Sequence, residues 1–432
     1  MSEKRDVAII GAGPGGYVSA IRLSQLGKRP CVIDIDEAHL GGVCLNEGCV
    51  GVKSLIGNAS KGQDIREIVS RSQEAVSALK SGLKSLFKKN GIEFISGRAK
   101  LLPGKKINVS QNGEKSAEIE ADNIIIATGS SPNIPQGVII DEKSFITSSE
   151  AIKLEKLPQT MLVVGAGALG VELASLFLRL GTKVTLIEAL SRILPFEDEE
   201  VSKSLARILA KKGMEVLTGR TIGPADKTAF EKILIVTGRK PNIGGLGLED
   251  AGIKTKDGFI VTDSKMRTSV KGIYAAGDVL NTPMYAHVAY REGIIAAEDI
   301  CGVKVEPIDY ENVPHVIFSD PEVAGVGLTE IQAKEGGYDI AVSKYFFKAN
   351  AKAVIGKKDD GFVKIIADKK TRKLLGVHII GEGATEIIHE FVLAKSAGLT
   401  VDAITKMVHA HPTLSEIAGE AAMAVFGKPI HG

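Results

Sequence analysis

Cys44 and Cys49 are the residues whose type and spacing point most directly to chemistry. They stand in GGVCLNEGCVGVK, residues 41 to 53, with four residues between them. That separation lets them close a disulfide within a small loop and exchange electrons with a bound flavin. Two other readings stay open from the residues alone: a pair of buried core thiols, or part of a metal site. The metal reading is the weaker, because CxxxxC is not a zinc spacing and no second Cys or His cluster follows.

The rest of the chain must position that pair. Its 432 residues are enough for two to four domains and a large core, so it needs no disulfide or metal staple. The 54 Lys and Arg balance 52 Asp and Glu, and without a basic block or interleaved aromatics nothing points to nucleic acid. Four cysteines and a start, MSEKRD, that leads straight into an apolar strand suggest a reducing, cytoplasmic setting. There a disulfide is catalytic rather than structural. The longest apolar run, MLVVGAGALGVELASLFLRL from Met161, contains Glu172 and turn-forming glycines, so it reads as strand, turn and helix rather than a membrane span.

Two stretches share one grammar. DVAIIGAGPGGYVSAIRLSQLGKRPCVIDID reads as strand, glycine turn, helix and strand, with Gly11, Gly13 and Gly16 in the turn and Asp34 closing the second strand. The first glycine permits the tight turn, the second lets backbone approach a pyrophosphate, the third lets helix pack on strand, and the acid accepts from a ribose 2′-OH. MLVVGAGALGVELASLFLRLGTKVTLIEA repeats it with Gly165, Gly167, Gly170 and Glu188. Two units imply two dinucleotides. Glu188 would repel a 2′-phosphate, which favours NAD over NADP, although Arg192 four residues on could soften that preference.

Between and after these units lie further candidates. A charged helical segment spans residues 60 to 95, and ATGS at 127 to 130 could set Thr128 and Gly129 against a dinucleotide. ILIVTGRKPN, containing Gly238, closes the second unit. Gly277 and Asp278 follow a strand in GIYAAGD, where an Asp after glycine is either a turn residue or, beside a flavin, a ribityl ligand. PMYAH, with Ala286, would begin the next helix. From about residue 313 the pattern becomes antiparallel and then helical, with apolar surfaces suited to a subunit contact.

The order GAGPGG, GGxCLNxGC with Lys53, ATGS, GAGALGVE, GRKPN, AAGD, PEVAGVGLTE and HPTLSE resembles the pyridine nucleotide-disulfide oxidoreductase family over nearly the whole chain. The resemblance implies an α/β fold with two Rossmann-like dinucleotide-binding domains, for FAD and NAD, and a C-terminal α+β dimerisation domain. The corresponding divisions are 1–145 and 263–312 for FAD, 146–262 for a shortened NAD domain, and 313–432 for the interface. It implies a homodimer acting on lipoyl groups of a 2-oxo acid dehydrogenase or glycine cleavage complex, with dihydrolipoamide and NAD+ giving lipoamide and NADH. By the same resemblance Cys44 is the interchange thiol and Cys49 the flavin-side thiol. Lys53 lies near the flavin and pairs with Glu172, a cation that favours reduced flavin and thiolate. His411 is the base and Glu416 its orienting partner, with His409 the competing histidine.

Several features depart from the family pattern. Glu47 puts a negative charge between the cysteines, where it would raise a thiol pKa. Gly51 and Val52 stand where the family usually has proline and serine, which would loosen the turn after Cys49. The connection after Lys53 is short, and RTIGPADKTAFEK replaces a strand pair before Gly238, which would expose a sheet edge beside the NAD site unless the loop covers it. The alternatives are a reductase of another low-molecular-weight disulfide and a degenerate flavoprotein serving as a non-catalytic subunit. Glu188 disfavours a glutathione-reductase-like activity, and the lack of any Cys after Cys301 disfavours a mercuric-reductase-like one.

Overall fold

The computed structural model of the chain describes residues 3–111 and 114–431. Met1 and Ser2, the head of the segment read as running directly into a strand, lie outside the described residues. The chain forms two compact units. One comprises Met1–Asn58, Arg66–Asn133 and Gly238–Ile308, the other Ala59–Ile65, Ile134–Thr237 and Asp309–Gly432.

The first unit is built on the strand Glu3–Ile10. Its apolar run, Val7 to Ile10, is buried, as expected of a parallel strand covered on both faces. Glu93–Ser96, Pro30–Asp34, Glu3–Ile10, Glu114–Ile126 and Ile273–Ala275 run parallel in that spatial order, and Lys106–Gln111 and Arg98–Leu102 extend the sheet antiparallel. The helices Pro14–Gln25 and Ala286–Ile300 pack closely. A Cβ on Gly293 would fall 2.4 Å from the Gly15 carbonyl oxygen.

The sequence reading ends the second glycine unit at residue 262, but residues 238–262 belong to the first compact unit. Leu246, Leu248, Ile253 and Ile260 join its core, and the Leu101 N–H donates to the Leu246 carbonyl at 2.7 Å. Apolar burial decides the division here, since the strands of the segment are only two or three residues long.

The second unit holds two sheets. One is parallel throughout, in the order Glu215–Thr218, Lys183–Glu188, Thr160–Val164, Lys232–Ile235, Phe145–Ile146. The shortened bridge between its strands folds as a loop with the short helix Asp226–Ala229, held where Asp226 accepts from Arg220 at 2.5 Å and from the Gly223 N–H at 2.8 Å. The other sheet is antiparallel, in the order His315–Ile317, Val323–Gly327, Leu374–Ile380, Phe362–Asp368, Ile340–Phe346. One face packs Ala324, Val326, Val363, Ile365, Val377 and Ile379 into a core with the helices Ala384–Ser396 and Glu416–Phe426. Alternation sends His315, Gly325, His378, Lys364 and Lys344, aligned across the strands, to the opposite face. Among the described residues no helix is long and apolar enough to cross a membrane.

Candidate functional site

The two glycine turns repeat each other closely. Gly11 has φ +106° and Gly165 φ +102°, and a Cβ there would meet the carbonyl oxygens of Ala127 at 2.2 Å and Val236 at 2.5 Å. Gly16 and Gly170 are tighter still, each 1.9 Å by the same measure from the oxygen of the first glycine in its own turn. Only glycine lets helix and strand approach so closely.

Asp34 accepts from the backbone N–H groups of Ala12 and Ile35, both at 2.7 Å, which holds its carboxylate beside the first turn. Burial raises its pKa, and those two hydrogen bonds oppose the rise. Thr128 and Gly129 are clasped by Asn242. The Thr128 hydroxyl donates to the Asn242 carbonyl at 2.7 Å, and Asn242 returns bonds to the carbonyls of Thr128 and Gly129. Asp278 accepts from the Ser130 hydroxyl, and the Arg239 guanidinium lies 3.9 Å from it while donating to Ser130 Oγ at 2.6 Å. Buried Glu292 fixes this loop by accepting from the Gly277 N–H at 2.6 Å and Thr282 Oγ1 at 2.8 Å.

Arg239, Asn242 and Glu292 escaped the sequence reading as site residues. GRKPN was visible as a motif, but the hand it lends to Thr128 appears only in the fold. The helix expected from PMYAH begins at Ala286. Glycine turn, Asp34, Thr128–Gly129 and Asp278 thus converge within one unit, and a Cβ on Gly129 would meet nothing within 4 Å. The open backbone and the two acids fit the pyrophosphate and hydroxyl groups of FAD.

The cysteine loop lies against the same turn. Gly42 has φ +62°, and a Cβ there would fall 2.6 Å from Gly13 Cα, so the approach requires glycine. Asn46 Nδ2 donates to the carbonyls of Leu40 and Gly42, which fixes the loop. Cys44 sits in the short helix Gly42–Asn46, and Cys49 opens the helix Cys49–Asn58. Both are free thiols hydrogen bonded to each other. That bond, then burial and the charges of Cys49 and Asp278, hold the Cys44 thiol far above the ordinary thiol range, with Lys53 pulling it down. The Glu47 carboxylate is felt at Arg239, whose pKa burial lowers while Asp278, Cys49 and Glu47 oppose the fall.

The expected loosening after Cys49 is not found. Without proline every N–H can join the helix: Val52 donates to the Gly48 carbonyl at 2.9 Å, and Gly51 and Val52 are buried. Ser72 Oγ further anchors the Gly51 carbonyl at 3.0 Å. Lys53 lies on this helix of the first unit. Glu172 is buried in the helix Ala168–Leu180 of the second, where it accepts from the Phe318 N–H at 3.0 Å.

In the second unit Glu188 accepts from the N–H groups of Ala166 at 2.7 Å and Leu190 at 3.0 Å, matching Asp34 at the other turn. Arg192, four residues beyond Glu188, donates instead to the carbonyls of Pro195 and Glu197. A Cβ on Gly167 would meet nothing within 4 Å, whereas Gly238, read from the sequence as closing this unit, belongs to the first compact unit. An open turn beside an acid fits NAD.

His411 Nδ1 donates to Glu416 at 2.9 Å, and Glu416 also accepts from the Thr413 N–H at 2.8 Å. The Thr413 hydrogen bond, ahead of the His411 contacts, holds the Glu416 carboxyl below its usual range despite some desolvation. With Nδ1–H directed at a carboxylate, the neutral ring keeps its lone pair on Nε2, the arrangement a general base needs. The His411 side chain is 71% exposed, whereas His409 is 7% exposed and bonded to Glu390 at 3.0 Å. Of the two histidines, His411 is the one open to a substrate.

Comparison with known proteins places these features in a wider set. Residues 5–293 match the pyridine nucleotide-disulphide oxidoreductase family, and residues 313–422 match its dimerisation domain. The chain is 39% identical to dihydrolipoyl dehydrogenase of Bacillus subtilis, covering 100% of both chains. It is 38% identical to the mitochondrial dihydrolipoyl dehydrogenase of Pisum sativum, covering 100% of this chain and 93% of that one. Among solved structures, the HOCl-induced flavoprotein disulfide reductase RclA from Escherichia coli superposes with a TM-score of 0.91 at 28% identity, over 97% of this chain and 100% of that one.

Proposed function

The chain belongs to the pyridine nucleotide-disulphide oxidoreductases, and from that premise we propose that it oxidises dihydrolipoamide with NAD+ through Cys44 and Cys49. It is a flavin-dependent disulfide oxidoreductase that uses FAD and NAD(H). The observation that carries the proposal is the hydrogen-bonded Cys44–Cys49 dithiol, set against the glycine turn of the first unit. The partial positive charge at the start of the helix Cys49–Asn58 favours negative charge on Cys49.

In the oxidised enzyme one thiolate of dihydrolipoamide attacks Cys44, breaking the Cys44–Cys49 bond and forming a mixed disulfide. The second substrate thiolate displaces Cys44 and closes lipoamide, leaving both enzyme cysteines reduced. His411 Nε2 takes the proton of the attacking thiol, and Glu416 stabilises the resulting imidazolium. When bound, FAD would supply the two-electron acceptor through which the dithiol is reoxidised at the expense of NAD+, giving NADH and one proton. Lys53 is assigned the role of the cation that stabilises negative charge at the flavin, and Glu172 that of its counter-charge. Asp34, Thr128, Gly129, Asp278 and Ala286 would hold FAD, and Glu188 the NAD ribose.

Residues 313–432 are assigned to subunit contact. Exposed Leu393, Met407, Val408 and Ile430 supply apolar surface for it, and lipoyl groups of a 2-oxo acid dehydrogenase or glycine cleavage complex are the proposed partners. The test is anaerobic titration of the FAD-loaded protein with dihydrolipoamide and NAD+, recording the visible spectrum. NADH formation that disappears in Cys44→Ser supports the proposal. Bleaching by NADH with no reaction toward dihydrolipoamide would assign the site to another disulfide.

A further inference from the structure

Away from the redox cysteines, a second group of ligating side chains meets inside the second unit. His315 and His378 lie on strands flanking Val323–Gly327, and Gly325 is the cross-strand partner of both. The two imidazoles therefore face each other across a residue with no side chain. A Cβ on Gly325 would sit 2.5 Å from His315 Nε2 and 2.9 Å from His378 Nδ1. Glu197, from the loop before the helix Glu199–Lys211, enters this gap and gives one oxygen to each ring, at 2.6 Å to His315 Nε2 and 2.7 Å to His378 Nδ1.

The surroundings are those of a built site. The other His378 nitrogen, Nε2, donates to the Leu328 carbonyl at 3.1 Å, and the Asp198 N–H donates to Glu197 Oε1 at 2.9 Å. Backbone support behind a histidine is the usual device for fixing which ring nitrogen can ligate. With Nε2 protonated, His378 Nδ1 and the carboxylate oxygen both present lone pairs at contact distance, so a positive centre must lie between them. A proton can fill that place, and so can a metal ion. Glu197 and His378 are buried, and His315 is 24% exposed, which leaves one side open for entry.

We propose that Glu197, His315 and His378 bind a divalent transition-metal ion of the zinc class. Two imidazole nitrogens and one carboxylate suit Zn2+ and its neighbours in the first transition row, and are a poor set for Mg2+ or Ca2+. The three ligand atoms lie within 4.8 Å of one another. Tetrahedral zinc with bonds of about 2.1 Å holds its ligands about 3.4 Å apart, so the present contacts need open by less than about 1 Å. Lys364 pairs with Asp198, Glu200 and Glu330 next door, at 3.1, 2.9 and 2.7 Å, and Lys344 and Lys334 supply further cations to Glu200 and Glu330. Glu197 is thus left to the two histidines. The ion would staple the loop that follows Glu188 to the antiparallel sheet.

The test uses FAD-loaded protein carrying Cys44→Ser and Cys49→Ser, so that the redox dithiol cannot compete, freed of metal with a chelator. Titration with Zn2+ against a chromophoric chelator should show one ion per chain and a rise in melting temperature. Added His315→Ala, on the edge strand, should weaken binding by about a hundredfold or more, and added His411→Ala should leave it unchanged. Co2+ in the protein with His315 intact should give the visible bands of a low-coordinate nitrogen and oxygen site, which decides the matter even if His315→Ala fails to fold. Absence of those bands, absence of zinc binding in the protein lacking Cys44 and Cys49, or binding that persists in a folded His315→Ala variant would overturn the assignment.

Discussion

Two of the carboxylate–histidine sites in the molecule are built on opposite plans. His411 and Glu416 lie five residues apart in one motif, and the ring projects from the surface. Glu197, His315 and His378 lie more than a hundred residues apart along the chain on the Glu197 side, and Glu197 and His378 are buried. The first pair has geometry without enclosure, as a base that must reach a substrate requires. The second has enclosure without access for a bulky substrate, as a structural or ion-binding cluster requires. The same residue types serve two ends, and burial separates them.

Changes at the two sites should therefore have opposite signatures. The largest effect is expected from His411→Ala, with dihydrolipoamide turnover falling by roughly a hundredfold to ten-thousandfold and little change in melting temperature. Steady-state kinetics beside thermal unfolding would check it, and a large loss of stability would contradict a purely catalytic role. Glu197→Ala should do the reverse. Removing the shared carboxylate from two enclosed imidazoles should cost about 3–5 kcal/mol of stability, measurable by denaturant unfolding, against about 1 kcal/mol or less for Glu416→Ala.

Gly325→Ala sharpens the contrast at smaller scale. Its methyl would press on both imidazoles, and overpacking of this kind costs about 1–3 kcal/mol. Wild-type stability in that variant would mean the rings move aside freely and the cluster is not tightly built.

The enzyme thiols respond to their surroundings as well. Cys49, burial and Asp278 raise the Cys44 pKa, so little thiolate exists at neutral pH. The sign follows: alkylation of Cys44 in the reduced protein should climb about tenfold per pH unit through the ordinary thiol range and level off only above it. Lys53→Met should move the curve further up, because Lys53 is the group that opposes the rise. Mass spectrometry of the alkylated peptide reads both curves, and a plateau near neutral pH would show Cys44 to be a ready thiolate.

What the sequence reveals follows the same division. The glycine turns are legible because Gly16 and Gly170 answer a constraint set five residues earlier, by the carbonyls of Gly11 and Gly165, within one short motif. Cys44, Cys49, His411 and Glu416 are legible for the same reason, each pair falling in one short motif. The Glu197 cluster is not, because it depends on the strand register that sets Gly325 between His315 and His378. Neither is the place of residues 238–262, which is decided by burial of Leu246 and Leu248 rather than by local pattern. At Gly51 and Val52 comparison with the family pattern misleads. The absent proline lets the helix after Cys49 run on instead of loosening it.

Mixed dimers test the role of the exposed pair most directly. If each active site takes its cysteines from one chain and its base from the other, Cys44→Ser and His411→Ala homodimers are each nearly inactive. In a mixed dimer one site then carries both defects and the other carries neither. Dissociating and remixing equal amounts should restore up to about one quarter of wild-type turnover per total dimer, since about half the dimers are mixed and each has one intact site of two. If mass measurement confirms that mixed dimers formed and no activity returns, His411 is not a base supplied across the subunit contact.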